Sequence, residues 1–194
     1  MDLKEQLLAA TVQVVTEHGF RAATTRRIAQ EAGVNEVTLF RHFGSKDVLL
    51  REAMAWASGK APVPELPGEP GDARAELTTW AELHFRHLLE VRGQIRKTIG
   101  EFEADPGVAS WSRQVPKRLH RTLEAYVGRL RDLGRTSGDW DLRAATGLLL
   151  GALFADAINR DFFPDHLPEP IADAPRRYVE LFLAAIGYHD SRAE

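Results

Sequence analysis

Apolar residues recur at helical spacing along this chain, and no stretch alternates apolar and polar residues as a β-strand does. At the N-terminus, Leu3, Leu7, Ala10 and Val14 fall on one stripe of a helix over residues 3–18. The same spacing predicts helices over 25–32, 36–42, 46–58, 73–90, 94–103, 108–133, 139–159 and 172–188. Asp139 is expected to cap the helix that ends at 159. The pattern therefore predicts an all-α fold.

The predicted helices fall into two groups, separated by residues 59–72. This short segment contains four prolines and three glycines, so neither a helix nor a strand is expected in it. We expect a mobile linker here, between a domain over 1–58 and a domain over 73–194.

Residues 24–46 are predicted to form two short helices joined by a tight turn. Thr25 is expected to cap the first helix, because its hydroxyl can accept from free backbone N–H groups. Gly33 ends that helix in the left-handed conformation, and Asn35 caps the second helix. Small and apolar residues are spaced to fill the space between the helices: Ile28, Ala29, Ala32, Val34, Leu39 and Phe43. This is the spacing of a helix-turn-helix, whose second helix enters the major groove of DNA.

The segment resembles the N-terminal domain of TetR-family transcriptional repressors. The resemblance rests on a helix that ends at Gly19-Phe20, followed by Thr24-Thr25, Ile28-Ala29, Ala32-Gly33-Val34, Thr38-Leu39-Phe40, His42-Phe43, Ser45-Lys46-Asp47 and Leu49-Leu50. It covers residues 3–56, and the remaining chain is similar only in its helical character and length. It implies an N-terminal helix-turn-helix DNA-binding domain and a C-terminal helical domain for ligand binding and dimerisation.

Candidate DNA contacts are the residues of the motif that can project from its surface: Thr25, Arg26, Arg27, Asn35, Glu36, Val37, Thr38, Phe40, Arg41, His42 and Lys46. Glu36 is suited to accept from cytosine, and Val37 and Thr38 to contact a thymine methyl group. The resemblance implies that Arg26 reads guanine and that Thr25 and Lys46 hold phosphates. Phe40 departs from the family, where a tyrosine at this position binds a phosphate through its hydroxyl.

Bulk charge does not indicate nucleic-acid binding, because the chain has a net charge of −3. Residues 1–60 hold eight Lys and Arg against seven Asp and Glu, so the DNA-binding prediction depends on the clustering of a few cations. The chain has no cysteine, which excludes disulfides and thiol catalysis. The longest apolar stretch, near 148–155, is too short to span a membrane. We expect a cytoplasmic protein without a membrane partner.

The last two predicted helices are candidates for a dimer interface. Gly147, Gly151 and Ala155 recur every four residues, which allows close approach of another helix. Around them this helix is apolar on more than one side, and such a helix must be buried on both sides. The predicted interface consists of Gly147, Gly151, Phe154, Ala155, Tyr178, Leu181, Phe182 and Ala185. The resemblance implies the same four-helix interface between two subunits; the alternative is a purely intramolecular core.

Large side chains in the second domain are candidates for a small-molecule pocket: Trp80, His84, Phe85, Leu88, Phe102, Trp111, Tyr126 and Phe154. The resemblance implies that a small, apolar effector enters this domain and moves the DNA-binding domains apart. The alternative is that these residues simply form the core. His84, His87 and Glu90 have a spacing that a metal site uses, but no second cluster completes it, so neither metal nor cofactor is expected.

The predicted function is that of a homodimeric repressor that binds a palindromic operator and is released by a small-molecule ligand. One alternative is a DNA-binding regulator without a ligand, whose C-terminal domain serves dimerisation only. Another is a helical enzyme using His84, His87 and Glu101 or Glu103, but this leaves the helix-turn-helix unexplained. We therefore do not expect an enzyme.

Overall fold

A computed structural model describes residues 2–60, 63–102 and 114–190, and in these ranges every side chain except those of Ser58, Lys60, Glu101 and Phe102. Every regular element in these ranges is helical. The helices are α1 (Leu3–His18), α2 (Thr25–Glu31), α3 (Glu36–Phe43), α4 (Lys46–Lys60), α5 (Ala73–Phe102), α6 (Gln114–Asp132), α7 (Leu142–Asn159) and α8 (Ala174–Ala185), with short 3₁₀ turns at Pro164–His166 and Ile171–Asp173. The predicted all-α fold is confirmed.

The chain forms two compact units, and α5 contributes to both. From Gly93 onward this helix groups with the N-terminal unit, whereas its first part groups with the C-terminal unit. The sequence instead predicts one domain over the whole of 73–194. A helix that continues through a unit boundary leaves no composition change to mark it, so the boundary is invisible in the sequence.

The N-terminal unit has a core to which α1, α2, α3 and α4 all contribute. Its fully buried side chains include Leu7, Ile28, Leu39, Leu49 and Ala53. The side chain of Asp2 caps α1, where it accepts from the Glu5 N–H at 2.7 Å. Because each helix places one apolar face in this core, the outward faces of α2 and α3 are held in fixed positions.

In the C-terminal unit, the described part of the predicted linker is held by hydrogen bonds. Trp80 Nε1 donates to the Pro64 carbonyl at 2.9 Å. The buried guanidinium of Arg135 donates to the Pro70 carbonyl at 3.1 Å. We refer to residues 63–71 as the anchored segment. Its composition predicts mobility, but its prolines leave carbonyls free to accept from side chains far along the chain.

Helix α5 is one continuous helix, so the predicted break between 90 and 94 is wrong. Glycine within a helix costs about 1 kcal/mol relative to alanine, and Gly93 is flanked by residues that favour helix. Neighbouring helix formers outweigh this cost. The predicted Asp139 cap is also wrong, because α7 begins at Leu142 and is capped by Asp141, whose side chain accepts from the Ala144 N–H at 2.7 Å. Asp139 and Asp141 can both cap a helix through the same carboxylate, and the packing of the helix determines which of them does.

A buried ionic cluster joins the end of α7 to α8. Arg160 forms a two-bond ion pair with Asp156, with distances of 2.7 and 2.8 Å. The Tyr178 hydroxyl donates to the same carboxylate at 2.8 Å. Burial and this hydrogen bond raise the pKa of Tyr178 above its usual range. The cluster therefore fixes α8 against α7 through charges that are paired inside the unit.

Candidate nucleic-acid interface and exposed apolar face

Helix α2 begins one residue earlier than the predicted cap requires. Thr24 is the N-cap, and its side chain accepts from the Arg27 N–H at 3.2 Å. The prediction that Thr25 caps α2 is therefore wrong. The two adjacent threonines offer the same hydroxyl, and the turn that precedes them, closed by a bond from the Thr24 N–H to the Ala22 carbonyl, sets the register.

The turn between α2 and α3 depends on Gly33, which has a φ of +67°. The Val34 N–H donates to the Ala29 carbonyl, and the Gly33 N–H donates to the Gln30 carbonyl, at 2.9 and 3.1 Å. This is the Schellman arrangement that satisfies the last carbonyls of a helix. The prediction that Gly33 takes the left-handed conformation is confirmed.

Helix α3 has a cap at each end. At its start, Asn35 Oδ1 accepts from both the backbone N–H and the hydroxyl of Thr38, each at 2.9 Å. The predicted Asn35 cap is thus confirmed. At its end, Gly44 has a φ of +73°, and its N–H donates to the Phe40 carbonyl at 2.8 Å. A glycine directly after an apolar helical pattern is a sequence signal for such an end, and it places the end of α3 at Phe43, one residue beyond the predicted His42.

One side of α3 is buried and the other faces outward. Leu39 and Phe43 are buried in the N-terminal core. Val37 is 74% exposed and Phe40 is 44% exposed. Arg41 and His42 are also exposed, whereas Thr38 is half-buried. The predicted contact residues of this helix therefore lie on or next to the face that the core leaves free.

Cations from α2, α3 and α4 accompany this face. Arg26 and Arg41 are exposed, and Lys46 is half-buried at the start of α4. Within the residues that the structure describes, none of these three side chains forms an ion pair. Arg27 instead folds back and donates to the Ala22 carbonyl at 3.0 Å. The candidate interface thus holds three cations that are not paired with any carboxylate among the described residues.

A hydrogen bond between side chains links α2 to α3. Thr25 Oγ1 donates to Glu36 Oε2 at 2.7 Å, and both residues are half-buried. Each stands at the first position of its helix. The sequence placed both residues among the DNA contacts but did not reveal that they bond to each other, because eleven positions separate them.

In the C-terminal unit, α7 and α8 leave an apolar face exposed. We define this exposed apolar face by its members: Leu148, Gly151, Phe154, Ala155, Leu181 and Ala185. Leu148 is 71% exposed and Leu181 is 69% exposed. Gly147 is half-buried beside this face. Two of the predicted interface residues lie elsewhere, because Phe182 is buried inside the unit and the Tyr178 hydroxyl bonds to Asp156.

The length and mean hydropathy of α7 would also suit a membrane span. Its mean hydropathy is 1.2, and 44% of the helix is buried inside the protein. One such helix is weak evidence for a membrane protein, since core helices of soluble proteins have the same composition. Its apolar character is accounted for by a buried side and an exposed apolar face.

Most of the described ligand candidates are packed in the core of the C-terminal unit. Trp80, His84, Phe85, Leu88 and Tyr126 are buried. Phe154 lies on the exposed apolar face, whereas Trp111 and the side chain of Phe102 lie outside the described residues. One open cavity of about 370 Å³ is lined by other residues, namely Val63, Glu65, Arg118, Arg121 and Thr122. The structure therefore places these five buried candidates in the core.

The two histidines of α5 stand in different environments. Burial, and secondarily electrostatic repulsion from His87, lower the pKa of His84 to about 4. The ring of His84 lies beside the Trp80 ring, with 5.7 Å between the centroids. His87 and Glu90 approach each other only to 4.0 Å. Among the described residues, no group of three metal-ligating side chains comes together.

Comparison with known sequences identifies the same N-terminal region. Residues 7–53 match the family described as bacterial regulatory proteins, tetR family. The HTH-type transcriptional regulator BetI 1 of Chromohalobacter salexigens is 31% identical over 131 residues, which are 64% of this chain and 60% of that protein. Four curated relatives that exceed 30% identity are aligned over only 25 to 60% of their own length.

Solved structures resemble the whole chain. A TetR transcriptional regulator from Agrobacterium tumefaciens matches with a TM-score of 0.76 at 19% identity, covering 99% of this chain and 98% of that one. The flavonoid-responsive regulator FrrA matches with a TM-score of 0.71 at 22% identity, covering 94% and 96%. At these identities the similarity shows a shared fold, which extends through both units.

Proposed function

Because the chain belongs to the TetR family of transcriptional regulators, we propose that it acts as a repressor that binds a palindromic operator as a homodimer. The observation that carries this proposal is α3: it is capped at both ends, anchored by Leu39 and Phe43, and exposed on its opposite face. A helix held in this way can enter the major groove without being ordered on binding.

The contacts divide into those that position the protein and those that read bases. Lys46 and Arg41 supply charge for phosphates, which sets affinity without selecting sequence. Val37 and Thr38 are suited to contact thymine methyl groups, and Arg26 to read guanine. Two copies related by a two-fold axis require an inverted repeat, with half-sites about 34 Å apart or a multiple of this distance.

Selection of binding sites from a random duplex pool tests this proposal. We expect the wild-type protein to enrich an inverted repeat. Lys46→Ala should weaken binding to all sequences, whereas Arg26→Ala should also relax the preference at one position of each half-site. Arg176→Ala is a matched control, because it removes a cation that pairs with Asp173 in the C-terminal unit. Failure of the folded protein to enrich any sequence would refute operator binding.

The exposed apolar face supports dimerisation through α7 and α8. Its leucines and Phe154 would remain in water in a monomer, and burying apolar surface contributes about 25 cal/mol per Å². Gly151 has no atom within 4 Å of the position where a Cβ would stand, so the close approach it allows is still open to a partner helix. A second copy of this chain presents the same apolar surface and satisfies a two-fold arrangement.

Sedimentation of charged variants tests this interface. Leu148→Glu and Gly151→Glu should each convert the dimer to monomer, because an unpaired carboxylate would be buried. Leu133→Glu is the control, since Leu133 is exposed in the turn after α6 and not on this face. Dimers that persist in both interface variants would place the interface elsewhere.

An effector that releases the operator forms the second part of the proposal. FrrA, which has this fold, is flavonoid-responsive. In the C-terminal unit, we infer entry of an apolar ligand among Trp80, His84 and Phe85, which supply aromatic surface and a neutral imidazole. Operator release is measurable by a mobility shift with a panel of flavonoids, and native mass spectrometry of the purified protein would detect a retained molecule.

A regulator without an effector is favoured by one observation. A side chain that lines an open cavity exposes part of its surface to it, yet Trp80 and Tyr126 are only 1% and 2% exposed. The Tyr126 hydroxyl also donates to Glu76, and Trp80 is bonded to the anchored segment. Ligand entry would therefore break existing hydrogen bonds. Undiminished operator binding across the panel, with no retained molecule, would support this second function.

A further inference from the structure

The bond between Thr25 and Glu36 changes the role that each can have at a DNA surface. A hydroxyl has one proton to donate, and Thr25 donates it to Glu36 Oε2 at 2.7 Å. Thr25 cannot donate the same proton to a phosphate, which is the role that family resemblance implies. Glu36, in contrast, gains a fixed position at the start of α3.

The other polar side chains of the first turn of α3 are already engaged. Asn35 Oδ1 accepts two hydrogen bonds as the cap, and the hydroxyl proton of Thr38 is used in one of them. Val37, next along the helix, is 74% exposed but carries no polar group. A carboxylate has two oxygens with about four acceptor sites. After the bond from Thr25, Glu36 still has its second oxygen with which to accept.

The N-terminal residues of a recognition helix contact base edges, and a carboxylate can read only a donor. In the major groove, guanine presents the acceptors N7 and O6, and thymine presents the acceptor O4. Adenine has a donor beside the acceptor N7, whereas cytosine presents its N4 amine alone. A carboxylate also repels the phosphates. A carboxylate held at this position therefore favours cytosine over the other three bases.

Building on the proposed operator binding, we propose that Glu36 is a specificity-determining residue that selects a cytosine in each half-site, and that Thr25 is its positioning residue. Thr25 holds one carboxylate oxygen, and the second oxygen accepts from the exocyclic amine of the base. Fixing the side chain before binding reduces the entropy lost when the contact forms.

Site selection from a random duplex pool, performed with variants, tests both roles. The wild type should prefer cytosine at one position of each half-site. Glu36→Gln should lower that preference on the order of tenfold and move it toward adenine, with which an amide pairs. It should also raise affinity for non-specific duplex, because a charge repelled by phosphates is removed. Glu31→Gln, which neutralises an exposed carboxylate at the end of α2, is the matched control and should keep the cytosine preference.

Thr25 variants separate positioning from contact. Thr25→Val should weaken the preference at the same position and leave the others unchanged, and Thr25→Ser should restore it. Circular dichroism checks that each variant is folded. If Thr25→Val does not fold, Thr25→Ala takes its place in the comparison with Thr25→Ser.

Retention of the cytosine preference by Glu36→Gln would overturn the inference while leaving operator binding intact. An unchanged preference in Thr25→Val would overturn the positioning role. A folded wild type that enriches no sequence would refute the proposed function itself, and the inference with it.

Discussion

Protonation of His84 should destabilise the folded protein. This histidine is 6% exposed and stands beside Trp80 on α5. Burial, with a smaller contribution from electrostatic repulsion by His87, lowers its pKa from 6.5 to about 4. In the unfolded chain His84 therefore binds a proton near pH 6.5, whereas in the folded chain it binds one only near pH 4. As the pH falls through this window the unfolded state gains protons first, so stability decreases.

The magnitude follows from the two pKa values. A pKa that differs by one between the folded and unfolded states corresponds to about 1.4 kcal/mol of stability. Between pH 7.5 and pH 5, where the unfolded state is protonated and the folded state is still neutral, linkage gives a loss of about 2 kcal/mol. Urea unfolding followed by tryptophan fluorescence measures it. The test is the difference between wild type and His84→Gln, since all other titrating groups are common to both proteins.

Between pH 7.5 and pH 5, the free energy of unfolding of His84→Gln should fall by about 2 kcal/mol less than that of wild type, since glutamine does not bind a proton. His18→Gln serves as the control, because the His18 side chain is 44% exposed, and it should follow the wild type. If wild type and His84→Gln lost stability in parallel, the buried neutral imidazole could not be the cause, and the reasoning would be refuted.

Four further substitutions test other features. Gly33→Ala should destabilise the protein by about 1 kcal/mol because its φ is +67°, whereas Gly93→Ala, within α5, should stabilise it by a similar amount; denaturant titration distinguishes the two signs. Asp156→Ala should cost up to about 3–5 kcal/mol, since the buried Arg160 keeps only the exposed Glu169 as an ionic partner and the Tyr178 hydroxyl loses its acceptor, and thermal unfolding near that of wild type would contradict this. Phe40→Tyr should raise operator affinity severalfold by adding a phosphate hydrogen bond from an exposed ring, and unchanged affinity in a mobility shift would count against a phosphate beside it.

The helix-turn-helix was predictable because its determinants are local. Gly33 and Asn35 act on backbone groups within a few residues, and so does Ser45, whose hydroxyl accepts from the Val48 N–H at 3.2 Å. Both partners of each bond therefore lie in the same short stretch of sequence. Where a neighbour offered the same group, prediction failed. Thr24 and not Thr25 caps α2, because the preceding turn sets the register. Asp141 and not Asp139 caps α7, because the packing of the helix selects the register.

The second unit was less predictable because its determinants are distant. An apolar helix such as α7 shows no preferred face in its sequence, and only the packed structure separates exposed Leu148 from buried Leu149. The same limit explains Phe182, which lies inside the unit and not on the exposed apolar face. The aromatic ligand candidates have helical spacing whether they line a cavity or fill a core, so their burial could not be read from spacing.

The anchored segment has a consequence for the order of events during synthesis. Its contact with Arg135 spans 65 positions, and Arg135 itself pairs with Asp190, a further 55 positions along. On the ribosome, the bond to Pro70 cannot form until Arg135 has emerged, and the pair with Asp190 cannot form until the last helix has emerged. The buried residues described for the core of α1, α2, α3 and α4, in contrast, all lie between positions 7 and 54. Since chains are extended at about 5–20 residues per second and domains fold in order of emergence, the N-terminal unit can assemble this core seconds before the anchored segment is bonded to Arg135.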